Sequence, residues 1–199
     1  MNRKQFFDLH AKQWDSYIDD KLIKKIENKI LPLFNIRKYE TVLDAGCGTG
    51  ILLPYLKQKV GREGVVVALD FSKKMLDIAK NKFGDMCKYV HADAEKTFFK
   101  DETFDKIICF NVFPHFPNKL KVLKEFFRIL KKDGLLIITH SDSCKNINMH
   151  HSKIGGVVKK DFMPDSKTIK SLLKIVGYES VYIFNKKAYY FLSAKKVLS

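Results

Sequence analysis

Short unbroken apolar runs alternate along the chain with stretches whose apolar residues recur every three or four positions. That alternation of periods predicts a parallel sheet with helices on both faces. The runs predict strands at Thr41 to Asp44, Val65 to Leu69, Cys87 to His91, Phe104 to Phe110 and Leu135 to His140. The second is apolar throughout, as a strand covered on both faces must be. Between them the helical period predicts a helix through Leu52, Leu53 and Leu56 to Val60. Another is capped by Ser72 and turns Met75, Ile78 and Ala79 inward, and a third, "NKLKVLKEFFRILKKDG", is stopped by Gly134. A helical stretch from Asn2 to Leu31 comes first and ends before Pro32, Ser141 to Pro164 reads as a loop, and Ser166 starts a last helix ending near Gly177. Two aromatic strands, Glu179 to Phe184 and Ala188 to Ala194, close through "NKK" as a hairpin added to the sheet. The expected fold is α/β, a doubly wound, mostly parallel seven-stranded sheet with a C-terminal antiparallel hairpin. Internal repeats and a second domain are not expected, so residues 1–199 read as one domain.

Composition narrows the class. A chain of 199 residues buries roughly two-thirds of its unfolded surface, and an apolar fraction of 46% supplies the core. Apolar runs stay short of the roughly 18 residues of a membrane span, and the charged start is not followed by a signal-peptide core, so a soluble protein is expected. Cys47, Cys87, Cys109 and Cys144 show no CxxC spacing and no secreted framework, which fits reduced thiols in a cytoplasm. The net charge of +15 raises nucleic acid as a partner, since basic side chains release counterions from phosphates. Of 37 basic residues, however, only Arg3, Arg37, Arg62 and Arg128 carry the guanidinium fork suited to phosphate, and the lysines are spread along the whole chain. A solvated surface is the favoured reading of this charge, and nucleic acid the less favoured one.

Chemistry concentrates in "VLDAGCGTG", Val42 to Gly50. Glycines between a strand end and a helix start let a ligand lie directly against backbone amides, and an acid ending the second strand, Asp70, suits two ribose hydroxyls. A dinucleotide fingerprint is GxGxxG, whereas here Ile51 follows Gly50 and the third glycine falls one residue early. Asp44 inside the turn would repel a pyrophosphate but suits a ligand carrying an amino group and a sulfonium. Asp93 adds a third acid at the end of the third strand.

These motifs resemble those of class I S-adenosylmethionine-dependent methyltransferases of the small-molecule type, similar to the ubiquinone and menaquinone enzymes, with a Rossmann-like sheet. The match runs from Phe6 to Ile138: "VLDAGCGTG", "VVALDFSKKMLDIAK", "HADAEKTFFKDETFD", "IICFNVFPHF" and "FRILKKDGLLIIT" resemble the family's five successive motifs. The resemblance implies S-adenosyl-L-methionine as cofactor, with Gly46, Cys47, Gly48 and Gly50 along its amino-acid part and Asp44 ordering that loop. Asp70 would hold the ribose, Phe71 and Met75 pack near the adenine, Asp93 and the Ala94 amide read its edge, and Asn111 lie close to the reacting methyl. "FFDLHAKQWDSY" is similar to an aromatic lid helix within residues 1–35, with Trp14 and Tyr17 over the site; an amphipathic helix on the sheet edge explains Trp14 as well.

A sulfonium is already a good leaving group, so the enzyme chiefly aligns a nucleophile and excludes water. A phenol or carbon nucleophile also benefits from a base, and His115 in "FNVFPHFPN" stands where one would face the methyl, against a surface or capping role. "NVFP" departs from the NPPY-like clamp of enzymes that methylate nucleobase amino groups. Residues 141–165 occupy the place of an acceptor-binding insert. His140, Asp142, Cys144, His150 and His151 are of metal-ligating type, but their spacing matches no firm signature, so no metal is expected; His140 and His151 join His115 and Asn111 as candidate catalytic residues, against plain pocket or loop roles. The expectation is methyl transfer to a small acceptor by a monomer or homodimer; an RNA acceptor and a non-catalytic cofactor-binding module are the alternatives.

Overall fold

The computed structural model describes residues 1–186 and 188–197. Seven strands form one sheet: β1 (Thr41–Ala45), β2 (Val65–Asp70), β3 (Lys88–His91), β4 (Phe104–Phe110), β5 (Leu130–His140), β6 (Tyr178–Lys186) and β7 (Tyr189–Lys196). Their order is β3-β2-β1-β4-β5-β7-β6, the first five parallel and β7 antiparallel to both its neighbours. The expected doubly wound sheet with its C-terminal hairpin is therefore present; Lys187, in the expected "NKK" turn, lies outside the described residues. β7 is interior, with Tyr190, Phe191 and Leu192 buried, whereas β6 is an edge and exposes Tyr182.

Among the described residues seven α-helices flank the sheet: α1 (Arg3–His10), α2 (Asp20–Lys25), α3 (Leu53–Val60), α4 (Lys73–Phe83), α5 (Lys119–Ile129), α6 (Cys144–Ile154) and α7 (Ser166–Val176). One apolar layer gathers Leu43, Ile107, Ile138 and Leu192 with Phe126 of α5 and Leu173 of α7; the opposite layer gathers Val42, Val66, Ile108 and Ile137 with Leu56 of α3 and Phe34. Alternate strand residues enter opposite layers, as the pleat requires. Ser72 caps α4 by accepting the Met75 amide, and Asp165 caps α7 from the Thr168 amide.

Three sequence expectations are corrected. The N-terminal helix breaks in two, because residues 11–17 tighten into a 3₁₀ turn and Ile18 is extended before Asp19 caps α2. The third predicted helix ends at Ile129 rather than at Gly134. Leu130 already pairs with Phe104, a tight excursion follows with Asp133 at φ +62°, and the regular ladder resumes at Leu135 opposite Lys106. Gly134 belongs to that excursion, where a Cβ would meet the Lys131 carbonyl at 2.8 Å. The predicted loop from Ser141 to Pro164 contains α6, capped by Ser143, whose inward face is only Ile147 and His151, four residues apart.

Candidate active site

The strand order reverses between β1 and β4, and the crevice beyond their carboxyl ends is where an open α/β sheet takes a ligand. Asp44 stands near the end of β1, Asn111 just past β4, and His140 closes β5. After β1 the chain turns back on itself through Gly46 and Gly48, with φ of +77° and +54°. A Cβ on Gly46 would stand 2.3 Å from Val112 Cγ2, so the adjoining loop leaves no room for a side chain. The amides of Gly46 and Cys47 donate to the Leu69 carbonyl, that of Gly48 to Asp70 Oδ2 and that of Gly50 to the Cys47 carbonyl, at 2.7 to 3.0 Å. The N–H groups of these four residues already hold the turn, so its glycines supply close approach to the backbone.

Two buried carboxyls flank the loop. Burial and then the charge of Asp70 push Asp44 up to about 7, while burial pushes Asp70 up to about 6 against the Ser72 and Gly48 amides that lower it. Adjacent buried carboxylates favour a cation between them. The ammonium and sulfonium of S-adenosylmethionine supply that charge, so the donor set fits the cofactor. Asp70 uses one lone pair on each oxygen for the amides of Gly48 and Ser72, at 2.9 and 2.8 Å, and retains acceptor capacity for hydroxyls. Cys47 is buried, and burial followed by the charges of Asp70 and Asp44 raises its thiol far out of reach of ionisation. Asp93 is exposed two residues past β3 and accepts the Glu95 amide at 2.9 Å, whereas Ala94 is buried.

The N-terminal segment docks on this loop. Ser72 Oγ donates to Asp8 at 2.5 Å, Thr49 Oγ1 donates to Asp15 at 2.6 Å, and Lys82 pairs with Asp15 at 2.8 Å. Phe7 packs edge-on against Trp14, Phe71 and His115, and shares a buried cluster with Met75. The Trp14 indole nitrogen lies 3.7 Å from where a Gly48 Cβ would be, which places Trp14 on the glycine loop. Tyr17, on the same 3₁₀ turn, is 65% exposed and packs edge-on against the Trp14 ring.

Beyond β4 and β5 three histidines converge. His115 Nδ1 lies 2.7 Å from Asp161 Oδ2, and its ring is 4.8 Å from that of His151, whose Nδ1 meets the Asp161 carbonyl at 2.5 Å. Arg3 also binds the Asp161 carboxylate. Burial alone would push Asp161 up, but the hydrogen bonds and charges of His115 and Arg3 hold it below the usual carboxylate range. His140 is fully enclosed; burial, then the imidazoles of His115 and His151, push it down to about 3. His151 is lowered too, by burial first, against its bond to the Asp161 carbonyl. Asn111 adopts φ +54°, with its Oδ1 accepting the Ser141 amide at 2.8 Å and its Nδ2 donating to Ser141 Oγ at 3.2 Å, so it ties the ends of β4 and β5 together. Arg3 and Asp161 escape sequence reasoning because each sits in an ordinary charged stretch. In the insert, Asp142 accepts from Ser143 and Asn146, and Cys144 Sγ contacts the Met163 carbonyl. Among the described residues no group of three His, Cys, Asp or Glu is arranged to hold a metal.

A reversed-order parallel sheet, a glycine turn flanked by buried acids and an antiparallel seventh strand define a Rossmann-like, nucleoside-binding transferase. Comparison with known proteins gives the family: the chain belongs to the class I S-adenosylmethionine-dependent methyltransferases, and a methyltransferase-domain family matches residues 43–138. It is 33% identical to an uncharacterized protein of Methanocaldococcus jannaschii over 92% of this chain and 79% of that one. It is 31% identical to the ubiquinone/menaquinone biosynthesis C-methyltransferase of Idiomarina loihiensis, over 73% of this chain and 69% of the relative. A solved S-adenosylmethionine-dependent methyltransferase from Aquifex aeolicus superposes with a TM-score of 0.74 at 25% identity, over 96% of this chain and 98% of that one. The chain is an enzyme whose cofactor is S-adenosylmethionine. No helix among the described residues is long and apolar enough to cross a membrane.

Proposed function

We propose that the protein methylates a small-molecule acceptor, with His115 as the base that takes the acceptor's proton. The observation that carries this reading is the His115–Asp161 hydrogen bond at 2.7 Å. Asp161 is held ionised and accepts only, so His115 Nδ1 carries the proton and Nε2 is left to receive one. Arg3 binds the same carboxylate and helps hold it ionised. When bound, the cofactor supplies an electrophilic methyl on a good leaving group. Asp44 and Asp70 hold its cationic end and ribose, and Gly46, Cys47, Gly48 and Gly50 let it approach the backbone. Phe71, Met75, Asp93 and Ala94 bound its adenine, and Asn111 shapes the wall between cofactor and acceptor. Residues 1–35 serve as a lid, with Trp14 on the glycine loop, and residues 141–165 as the acceptor insert, both within one domain. His140 and His151 line the acceptor space. Phe7 and His151 of α6 pack on His115, which favours a small molecule over a polynucleotide.

The test is transfer of labelled methyl from S-adenosylmethionine to a panel of phenols, amines and thiols, with total RNA in parallel. Transfer to a small acceptor, with kcat lowered roughly 100-fold or more in His115→Ala and S-adenosylhomocysteine affinity unchanged, supports the reading. Methylation of RNA alone overturns it, as does cofactor binding without any turnover.

A further inference from the structure

We propose that His140 and Tyr190 form a two-point hydrogen-bonding subsite for a neutral hydroxyl or carbonyl oxygen on an otherwise apolar acceptor; this rests on the small-molecule reading above. The two residues stand directly opposite each other where β5 pairs with β7, so their side chains leave the same face of the sheet, with Cβ atoms about 5 Å apart. Both are buried, at 4% and 1% exposure. Yet His140 Nε2 and the Tyr190 hydroxyl are shielded from solvent without a hydrogen-bond partner among the described residues. Buried polar atoms are nearly always satisfied, and each exception calls for a reason. Two exceptions on facing residues of one strand pair, one of them in the histidine cluster, call for a shared one. The third orphan, the Tyr89 hydroxyl, sits on edge strand β3 at the other side of the sheet and has no such neighbour.

The surroundings define what the pair would hold. Ile138, Leu192, Ile147 and Met163 share its apolar layer, so the body of the ligand is mostly carbon. The groups facing His140 are the imidazoles of His115 and His151, which together with burial keep it uncharged, and Arg3 is already matched by Asp161. An anionic group would therefore enter without a countercharge, which disfavours carboxylates and phosphates. A hydroxyl satisfies both orphans at once, donating to Nε2 while accepting from Tyr190; a carbonyl accepts from Tyr190 and from the Nε2–H tautomer.

The pair of probes that tests this is phenol against toluene, nearly equal in shape and different by one hydroxyl. Each is titrated calorimetrically into the free protein and into the S-adenosylhomocysteine-loaded protein. The wild type is expected to prefer phenol by about tenfold or more, the worth of a net hydrogen bond. Tyr190→Phe should erase most of that preference, leave toluene affinity unchanged and leave the melting temperature equal or higher, because its hydroxyl has no partner to lose. No phenol binding, equal binding of the two probes, or an unaltered preference in Tyr190→Phe overturns the subsite. Loss of S-adenosylhomocysteine binding alongside an intact phenol preference would instead overturn the methyl-transfer reading and leave the subsite standing.

Discussion

Asp44 and Asp70 show how single residues set the protein's pH response. A carboxyl whose folded pKa is raised binds its proton more tightly in the native state, so stability is greatest below the unfolded value and declines as pH rises through the folded one. The free protein is expected to lose stability from about pH 4 to about pH 7, as Asp70 and then Asp44 ionise in the folded state. A cationic ligand reverses that trend, so S-adenosylmethionine should raise the melting temperature more at pH 8 than at pH 5. Asp44→Asn should stabilise the free protein at pH 8 while abolishing the cofactor's effect; thermal melts at the two pH values, with and without cofactor, check both. Gly46 is a second single-residue control. Gly46→Ala adds a methyl 2.3 Å from Val112 at a φ of +77°, so a loss of more than about 1 kcal/mol in chemical denaturation is expected, together with weakened cofactor binding.

At the scale of elements, the N-terminal segment is held to the glycine loop by few bonds. Asp8 to Ser72, Asp15 to Thr49 and Lys82, and Arg3 to Asp161 are its polar ties, the Lys82 pair lying at the surface where it contributes little. Such a segment can open without unfolding the sheet. Trp14 is the chain's one tryptophan and lies at the loop, so its fluorescence reports that opening. The double variant Asp8→Ala/Asp15→Ala is expected to release S-adenosylhomocysteine several-fold faster in stopped-flow fluorescence while barely moving the melting temperature. An unchanged release rate would mean that the segment does not gate the site.

The whole molecule carries a formal charge of +15, and self-repulsion at that charge destabilises a compact state. Most of its ion pairs lie at the surface and contribute little, so screening the repulsion outweighs screening the pairs. Raising sodium chloride from about 20 mM to about 500 mM should increase the melting temperature; a decrease would assign the ion pairs the larger share.

The amino-acid sequence by itself determined the alternation of strands and helices, the glycine turn and the acids around it, because these depend on neighbours within one or two turns of chain. β4 falls where its apolar run does, and Ser72 and Gly177 end helices by local hydrogen bonding. Local pattern misjudged the end of α5 because Leu130 continues the helical period yet is captured by Phe104 of β4, and it passed over α6 because only Ile147 and His151 mark its buried face. Tertiary structure alone decided the histidine cluster and its partners. Arg3 and Asp161 are 158 residues apart, His115 and Asp161 46, and His140 meets Tyr190 only because β7 inserts antiparallel between β5 and β6. Hydrogen bonds between such distant residues follow from how the sheet is ordered and how α1 and α6 close over it, and no spacing along the chain encodes them.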